Sequence, residues 1–142
     1  MPSGELRSGR ELTAGKSSSE PFTDGQVREI SRAVGTASAE TGLRFSVYVG
    51  PVDGDVRDHA ERLHAALGSD ASRGVLVLVA PGDRQLEIVT GREANRRLSD
   101  RACALAALSM TTAFSGGDLV SGVVTGVRML SDSCGRELPA AR

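Results

Sequence analysis

The stretch from Gly74 to Gly91, GVLVLVAPGDRQLEIVTG, constrains this chain more than any other. Val75-Leu76-Val77-Leu78-Val79 is an unbroken apolar run, dominated by β-branched residues and too short for a helix of normal length. Gly74 and Pro81-Gly82 punctuate its ends. A strand that is apolar on both faces must be covered on both faces. Gln85 to Thr90 alternates at first, with Leu86 and Ile88 pointing one way and Gln85 and Glu87 the other. Pro81-Gly82-Asp83-Arg84 carries turn chemistry, so the two strands are expected to pair antiparallel.

Length and composition narrow the partners. The chain has 142 residues, enough for one domain with a real core. Its net charge is −1, with 25% charged residues, which argues against a polyanion-binding protein. Phe22, Phe45, Tyr48 and Phe114 are the only aromatics, a poor supply for base stacking. No nucleic-acid role is therefore expected. The first residues contain no apolar run of the kind a secretory leader carries. The longest uncharged stretch, Ala102 to Gly117, falls short of the roughly 18 residues that suggest a membrane span. Two cysteines, Cys103 and Cys134, make no disulfide framework, and the simplest placement is a reducing cytoplasm. Residues 1–21 are rich in Gly, Ser and charge and are expected to be disordered, as are residues 132–142. The folded domain is expected over 22–131.

Along that domain the pattern alternates between helix and strand. Thr23-Asp24-Gly25-Gln26 fits a capping box. Val27, Ile30, Val34, Ala37 and Thr41 make one helical stripe, and Gly42 ends it. From Leu43 to Val49 the chain alternates cleanly, with Arg44, Ser46 and Tyr48 on the second face, as in a half-covered strand. Asp55 is expected to cap a second helix with Val56, Ala60, Leu63 and Leu67 inward. Strand, helix, strand then makes a right-handed crossover with parallel strands. After Gly91, Ser99 or Asp100 caps a helix through Phe114 that is apolar almost all round, which predicts little solvent-facing surface. Asp118 caps a last helix burying Leu119, Val120, Val123, Val124, Val127 and Leu130. The fold class is thus α/β, a small mixed sheet (a βαβ crossover plus a β-hairpin) packed between helices.

Candidate chemistry is sparse. Asp53, Asp55 and Asp58 follow the first strand, but capping, turn formation and the helix dipole account for all three. His59 and His64 point about 140° apart on a helix and do not form a zinc pair. Arg92, Arg96, Arg97 and Arg101 form a basic edge, with Glu93 spaced to pair with Arg97 and Asp100 with Arg96. Cys103 sits in an apolar helix as inert packing, and Cys134 in the expected tail is more exposed. No phosphate loop or nucleophile elbow occurs.

The order of these motifs carries a resemblance. The RFSVYVG strand, the AERLHAALG helix, the GVLVLVAPGDRQLEIVTG hairpin and the late MTTAFSGGDLVSGVVTGVRML run follow one another. In this the chain resembles the TPM domain family (TLP18.3/Psb32/MOLO-1 type), and specifically its short actinobacterial members of the DUF5130 type. The resemblance implies a TPM-like α/β sandwich and, for some members, divalent-metal acid phosphatase activity on phosphomonoesters. Others in that family assist membrane complexes. Carried over residue by residue, the implied carboxylates are Asp70, Glu93 and Asp100, holding Ca²⁺ or Mg²⁺, with Arg73 and Arg92 gripping phosphate. The family's Asp-Asn-Gly is Ser72-Arg73-Gly74 here, and its glutamate falls on Asn95, so two carboxylates are missing. The expectation is therefore a cytoplasmic, non-catalytic binding or accessory module for a protein partner, with no cofactor. The phosphatase is the alternative.

Overall fold

The computed structural model describes residues 23–135; the stretch expected to be disordered at 1–21, and residues 136–142 of the one expected at 132–142, lie outside the described residues. Helix α1, Asp24–Thr41, starts at the expected capping box. The Thr23 hydroxyl accepts from the Gln26 N–H at 3.1 Å, and the Gln26 side chain accepts from the Thr23 N–H at 2.9 Å. Ile30, Val34, Ala37 and Thr41 are buried along one stripe. Gly42 adopts φ 80° and stops the helix, a conformation that costs glycine little.

Strand β1, Arg44–Val49, follows. Asp55 then caps α2, Val56–Ala65, accepting from the Asp58 N–H. A short 3-10 turn, Gly68–Arg73, leads into β2, Gly74–Ala80. A second 3-10 turn, Pro81–Asp83, with Arg84 at φ 54°, reverses the chain into β3, Gln85–Thr90. Three helices complete the domain: α3 (Arg92–Arg97), α4 (Asp100–Ser115) and α5 (Leu119–Gly135). Ser99, rather than Asp100, supplies the cap of α4.

The sheet order is β1-β2-β3, with β1 and β2 parallel and β2 and β3 antiparallel. The unbroken apolar run thus becomes the central strand, and all seven of its residues are buried. Its two faces enter two cores. Val75, Val77 and Val79 join Phe45, Val47, Ile30, Met110 and Leu130 under α1, α4 and α5. Leu76, Leu78 and Ala80 join Val56, Ala60 and Val89 under α2 alone. Each fully buried aliphatic contributes roughly 1.5–3 kcal/mol, and β2 is the one strand that contributes three residues to each layer.

The close pairing of α4 and α5 depends on missing side chains. A Cβ at Gly122 would stand 2.8 Å from the Ala113 Cβ, and one at Gly126 would stand 2.5 Å from the Met110 Cε. These glycines explain the late glycine run in packing terms.

Four sequence expectations need correction. Helix α4 is not covered all round, because only Ala106 and Met110 are fully buried and Leu105 and Leu108 are 50% and 62% exposed. Its inner side is taken by α5 and the sheet, and among the described residues nothing covers its outer side. Helix α5 runs past Ser131, which is itself buried. Cys134 is therefore a buried residue of that helix, not an exposed one. Ser46 also lies on a better-covered face than expected, at 4% exposure.

Candidate functional site

Structure places the five residues implied by the resemblance in two neighbourhoods. Asp70 and Arg73 belong to the 3-10 turn before β2, and Arg92 and Glu93 open α3 beside it. The turn and α3 meet closely: a Cβ on Gly91 would collide with the Ala71 carbonyl oxygen and stand 2.6 Å from that of Ser72. The Glu93 N–H also donates to the Ser72 hydroxyl at 3.3 Å. Asp70 is engaged by Arg44, Nη1 to Oδ2 at 2.9 Å, with both side chains close to half exposed. Arg73 is turned back to donate to the Gly42 carbonyl.

Asp100 belongs to the second neighbourhood. Its Oδ1 accepts from the Asn95 amide at 3.1 Å. The same amide lies 3.3 Å from the Thr90 hydroxyl and from the Leu98 carbonyl. Asn95 thus acts as a neutral donor that ties β3 to the start of α4. Among the described residues, no group of three or more His, Cys, Asp or Glu side chains is placed to hold a metal ion.

The ion pairs expected on the basic edge do not form. Arg97 instead donates to the carbonyls of Thr41, at 2.6 Å, and Cys134, at 3.3 Å. It ties together the C-terminal regions of α1 and α5, where carbonyl dipoles favour a cation. The histidines are likewise structural. His59 Nδ1 accepts from the Asp53 N–H at 2.8 Å, and its ring stacks on Tyr48 at 5.8 Å. His64 Nε2 lies 3.2 Å from the Gly74 carbonyl.

A groove of about 530 Å³ runs along β3 between α2 and α4. Its floor is set by strand geometry. The Gly91 N–H donates to the Gly74 carbonyl at 2.9 Å, and bonded pairs in an antiparallel ladder recur at every second residue. In the observed register the bonded pairs are then Leu76–Val89, Leu78–Glu87 and Ala80–Gln85. The N–H and C=O groups of Leu86, Ile88 and Thr90 consequently point away from β2, into the groove. Arg57 confirms that direction by donating to the Ile88 carbonyl at 3.3 Å. One wall holds Arg57, which bonds Glu87 at 2.9 Å and Glu61 at 3.0 Å. The hydrogen bond that Arg57 donates to Glu87 is the main reason its pKa lies above the ordinary value. The other wall is Asp100, Cys103, Ala104 and Ala107 of α4. Burial, helped by the negative charge of Asp100, pushes the Cys103 thiol up to about 11, so it is no nucleophile at neutral pH. A second groove of about 460 Å³, between α1 and α5, carries mixed charges including Glu29, Arg32, Arg128 and Asp132.

The sequence pointed to Asp100 but missed the groove around it, because the strand edge, Arg57 and the Ala104–Ala107 wall come from three separate elements. Its only local signals were the surplus of apolar residues on α4 and a β3 sequence free of Pro and Lys.

A mixed three-stranded sheet, with one helix on one face and three on the other and an open-sided groove at one edge, defines a small α/β module. The chain belongs to the DUF5130 family (Domain of unknown function), whose model matches residues 2–131. It is 29% identical over 113 residues to the uncharacterized protein Rv2468c of Mycobacterium tuberculosis, covering 78% of this chain. The chain spans only 66% of the length of that relative, just under two thirds. Its fold is similar to that of the BA42 protein from the psychrophilic bacterium Bizionia argentinensis, with a TM-score of 0.75 at 22% identity over 85% of this chain and 86% of that one. It is also similar to the N-terminal domain of a protein from P. gingivalis, with a TM-score of 0.72 at 15% identity, covering 94% of this chain and 91% of the other. These likenesses concern the fold alone.

Proposed function

We propose that this protein is a non-catalytic binding or accessory module of TPM-like architecture that recognises a protein partner in the cytoplasm. The observation that carries the reading is the groove along β3, where backbone donors and acceptors open into a space walled by side chains from α2 and α4. A backbone edge of this kind is a ready template for another chain. The dispersal of the implied metal site supports the same reading. Asp70 is spent on Arg44, Asp100 is held by a neutral amide, and Arg73 is bonded to a backbone carbonyl. Divalent-metal phosphate hydrolysis needs several oxygen ligands converging on one ion with an open position. The cytoplasmic placement accords with Cys103 and Cys134 as thiols, and among the described residues no helix is long and apolar enough to cross a membrane.

The test is a titration with Ca²⁺ and Mg²⁺ followed by amide NMR, with p-nitrophenyl phosphate turnover measured on the same sample. The binding reading expects no localised shifts and no turnover. Shifts confined to Asp70, Gly91–Glu93 and Asp100, with turnover that Asp70→Asn abolishes, would replace it with the phosphatase.

A further inference from the structure

We infer that the β3 groove takes one extended, basic peptide segment of a partner protein, added as a fourth strand beside β3. This rests on the binding-module reading and specifies the class of partner. Three observations converge on it. The outward backbone groups of Leu86, Ile88 and Thr90 span about 13 Å at strand rise, enough to pair with a segment of about five residues. Among the described residues, only Arg57 reaches them, and it takes the Ile88 carbonyl alone. The β3 sequence QLEIVT also holds none of the Pro or Lys residues that natural proteins use to blunt an edge.

The walls select what can lie there. On the α4 side, Cys103, Ala104 and Ala107 are small and uncharged, and the 62%-exposed Leu108 continues that surface one turn beyond Ala104. Residues of the added strand on that side face the same way as Leu86 and Ile88, so apolar side chains fit at alternate positions. The charges are unequal. Beside the intervening positions, Glu87 and Glu61 stand against the single guanidinium of Arg57, and Asp100 adds a further negative charge on the opposite wall. The acidic excess favours a lysine or arginine at the intervening positions. A second copy of this chain would bring a second acidic excess to the same edge, so the charges favour a different occupant.

The probe is a labelled pentapeptide alternating valine with arginine, titrated into the protein and followed by amide NMR. Its counterpart alternates valine with glutamate. The inference expects shifts concentrated at Leu86, Ile88, Thr90 and Ala104–Leu108, slowed exchange of the Ile88 N–H, and affinity at least tenfold above that of the acidic peptide. Raising salt should weaken binding. Ala104→Arg, at an exposed helix position, should lower affinity at least tenfold while leaving the rest of the spectrum in place. Asp100→Asn should lower it severalfold and shrink the preference for the basic peptide. Equal binding of both peptides, binding away from β3, or no binding would each overturn the inference. So would β3 shifts that depend on protein concentration without peptide, which would assign the edge to a second copy. The reading it rests on fails separately, through metal-dependent phosphate turnover.

Discussion

At the β1 edge of the sheet, α1 runs close enough for its Ser38 hydroxyl to accept the Phe45 N–H at 3.0 Å, and the Thr41 hydroxyl accepts the Leu43 N–H just before the strand. At the β3 edge, the corresponding outward groups open into a groove, and one half-exposed arginine meets a single carbonyl. Both strands have six residues and, among the described residues, both pair only with β2. The difference therefore does not come from strand length or sheet order. It comes from which helix lies beside each edge and whether that helix carries a short polar side chain at the right height. An edge that could be capped by one hydroxyl and is not is where a partner strand has room.

Breaking the anchor of the open edge should have the largest effect. Gly91 ends β3 where the chain passes under the Ala71 and Ser72 carbonyls, and the obstruction is backbone, which cannot swing aside. Gly91→Ala is expected to lose about 3 kcal/mol in urea unfolding. In contrast, Gly35→Ala, at a helix position with no atom within 4 Å of the new Cβ, should gain about 0.5–1 kcal/mol. A Gly91→Ala loss no greater than the usual surface range would mean that the turn before β2 can move away and that the β3 edge is not fixed.

The closed edge can be opened on purpose. Ser38→Ala removes the acceptor of the Phe45 N–H in a part-buried setting and should cost about 1–2 kcal/mol, with faster exchange of that amide. A neighbouring hydroxyl gives the opposite sign. Ser46 is buried and its Oγ has no hydrogen-bond partner. Ser46→Ala is therefore expected to be neutral or stabilising by up to about 1 kcal/mol. Loss on both substitutions would show that β1 resists any change of side chain, and the capping argument would fall.

At the open edge the same operation should do little to stability. Arg57→Ala removes a solvent-screened network with Glu61 and Glu87 and should cost under about 1 kcal/mol in the same unfolding measurement. A loss above about 2 kcal/mol would make Arg57 a structural cap, and the two edges would then be alike.

Much of the scaffold was readable from residue order. The Thr23–Gln26 capping box, the stop at Gly42, the Asp55 and Ser99 caps and the apolar run of β2 are local signals, each complete within a few residues. The βαβ crossover and hairpin followed from the spacing between them. What was not readable depends on residues far apart in sequence. Arg97 was expected to pair with Glu93 at helical spacing. It found two carbonyls, 56 and 37 residues away, that only the folded chain brings near it. Helix α4 was expected to be fully covered, because composition shows how apolar a helix is and not how many neighbours it has. The candidate carboxylates were legible as residue types, but their partners Arg44 and Asn95 were settled by tertiary placement. Cys134 was misplaced because polar neighbours in sequence hid a helix that continues.

The smallest effect expected concerns Cys103, which sits in the α4 wall of the open edge. Burial and the nearby Asp100 carboxylate raise its pKa from the ordinary 9.0 to about 11. The folded protein thus holds the thiol proton more tightly than the unfolded chain does. Its contribution to stability is fully present below pH 9, declines as pH rises from 9 towards 11, and is gone above that. At pH 8 the thiolate is about a hundredfold scarcer than in an ordinary cysteine, so alkylation by iodoacetamide should be correspondingly slow and should accelerate up to about pH 11. Near neutral pH stability should not vary with pH through this group. Asp100→Asn removes one cause of the shift and should move the alkylation profile to lower pH by a fraction of a unit, leaving the larger contribution of burial. A profile centred near pH 9 in the native protein would mean that the α4 wall opens to solvent far more than its packing indicates, and that the groove beside it is wider than a single added strand requires.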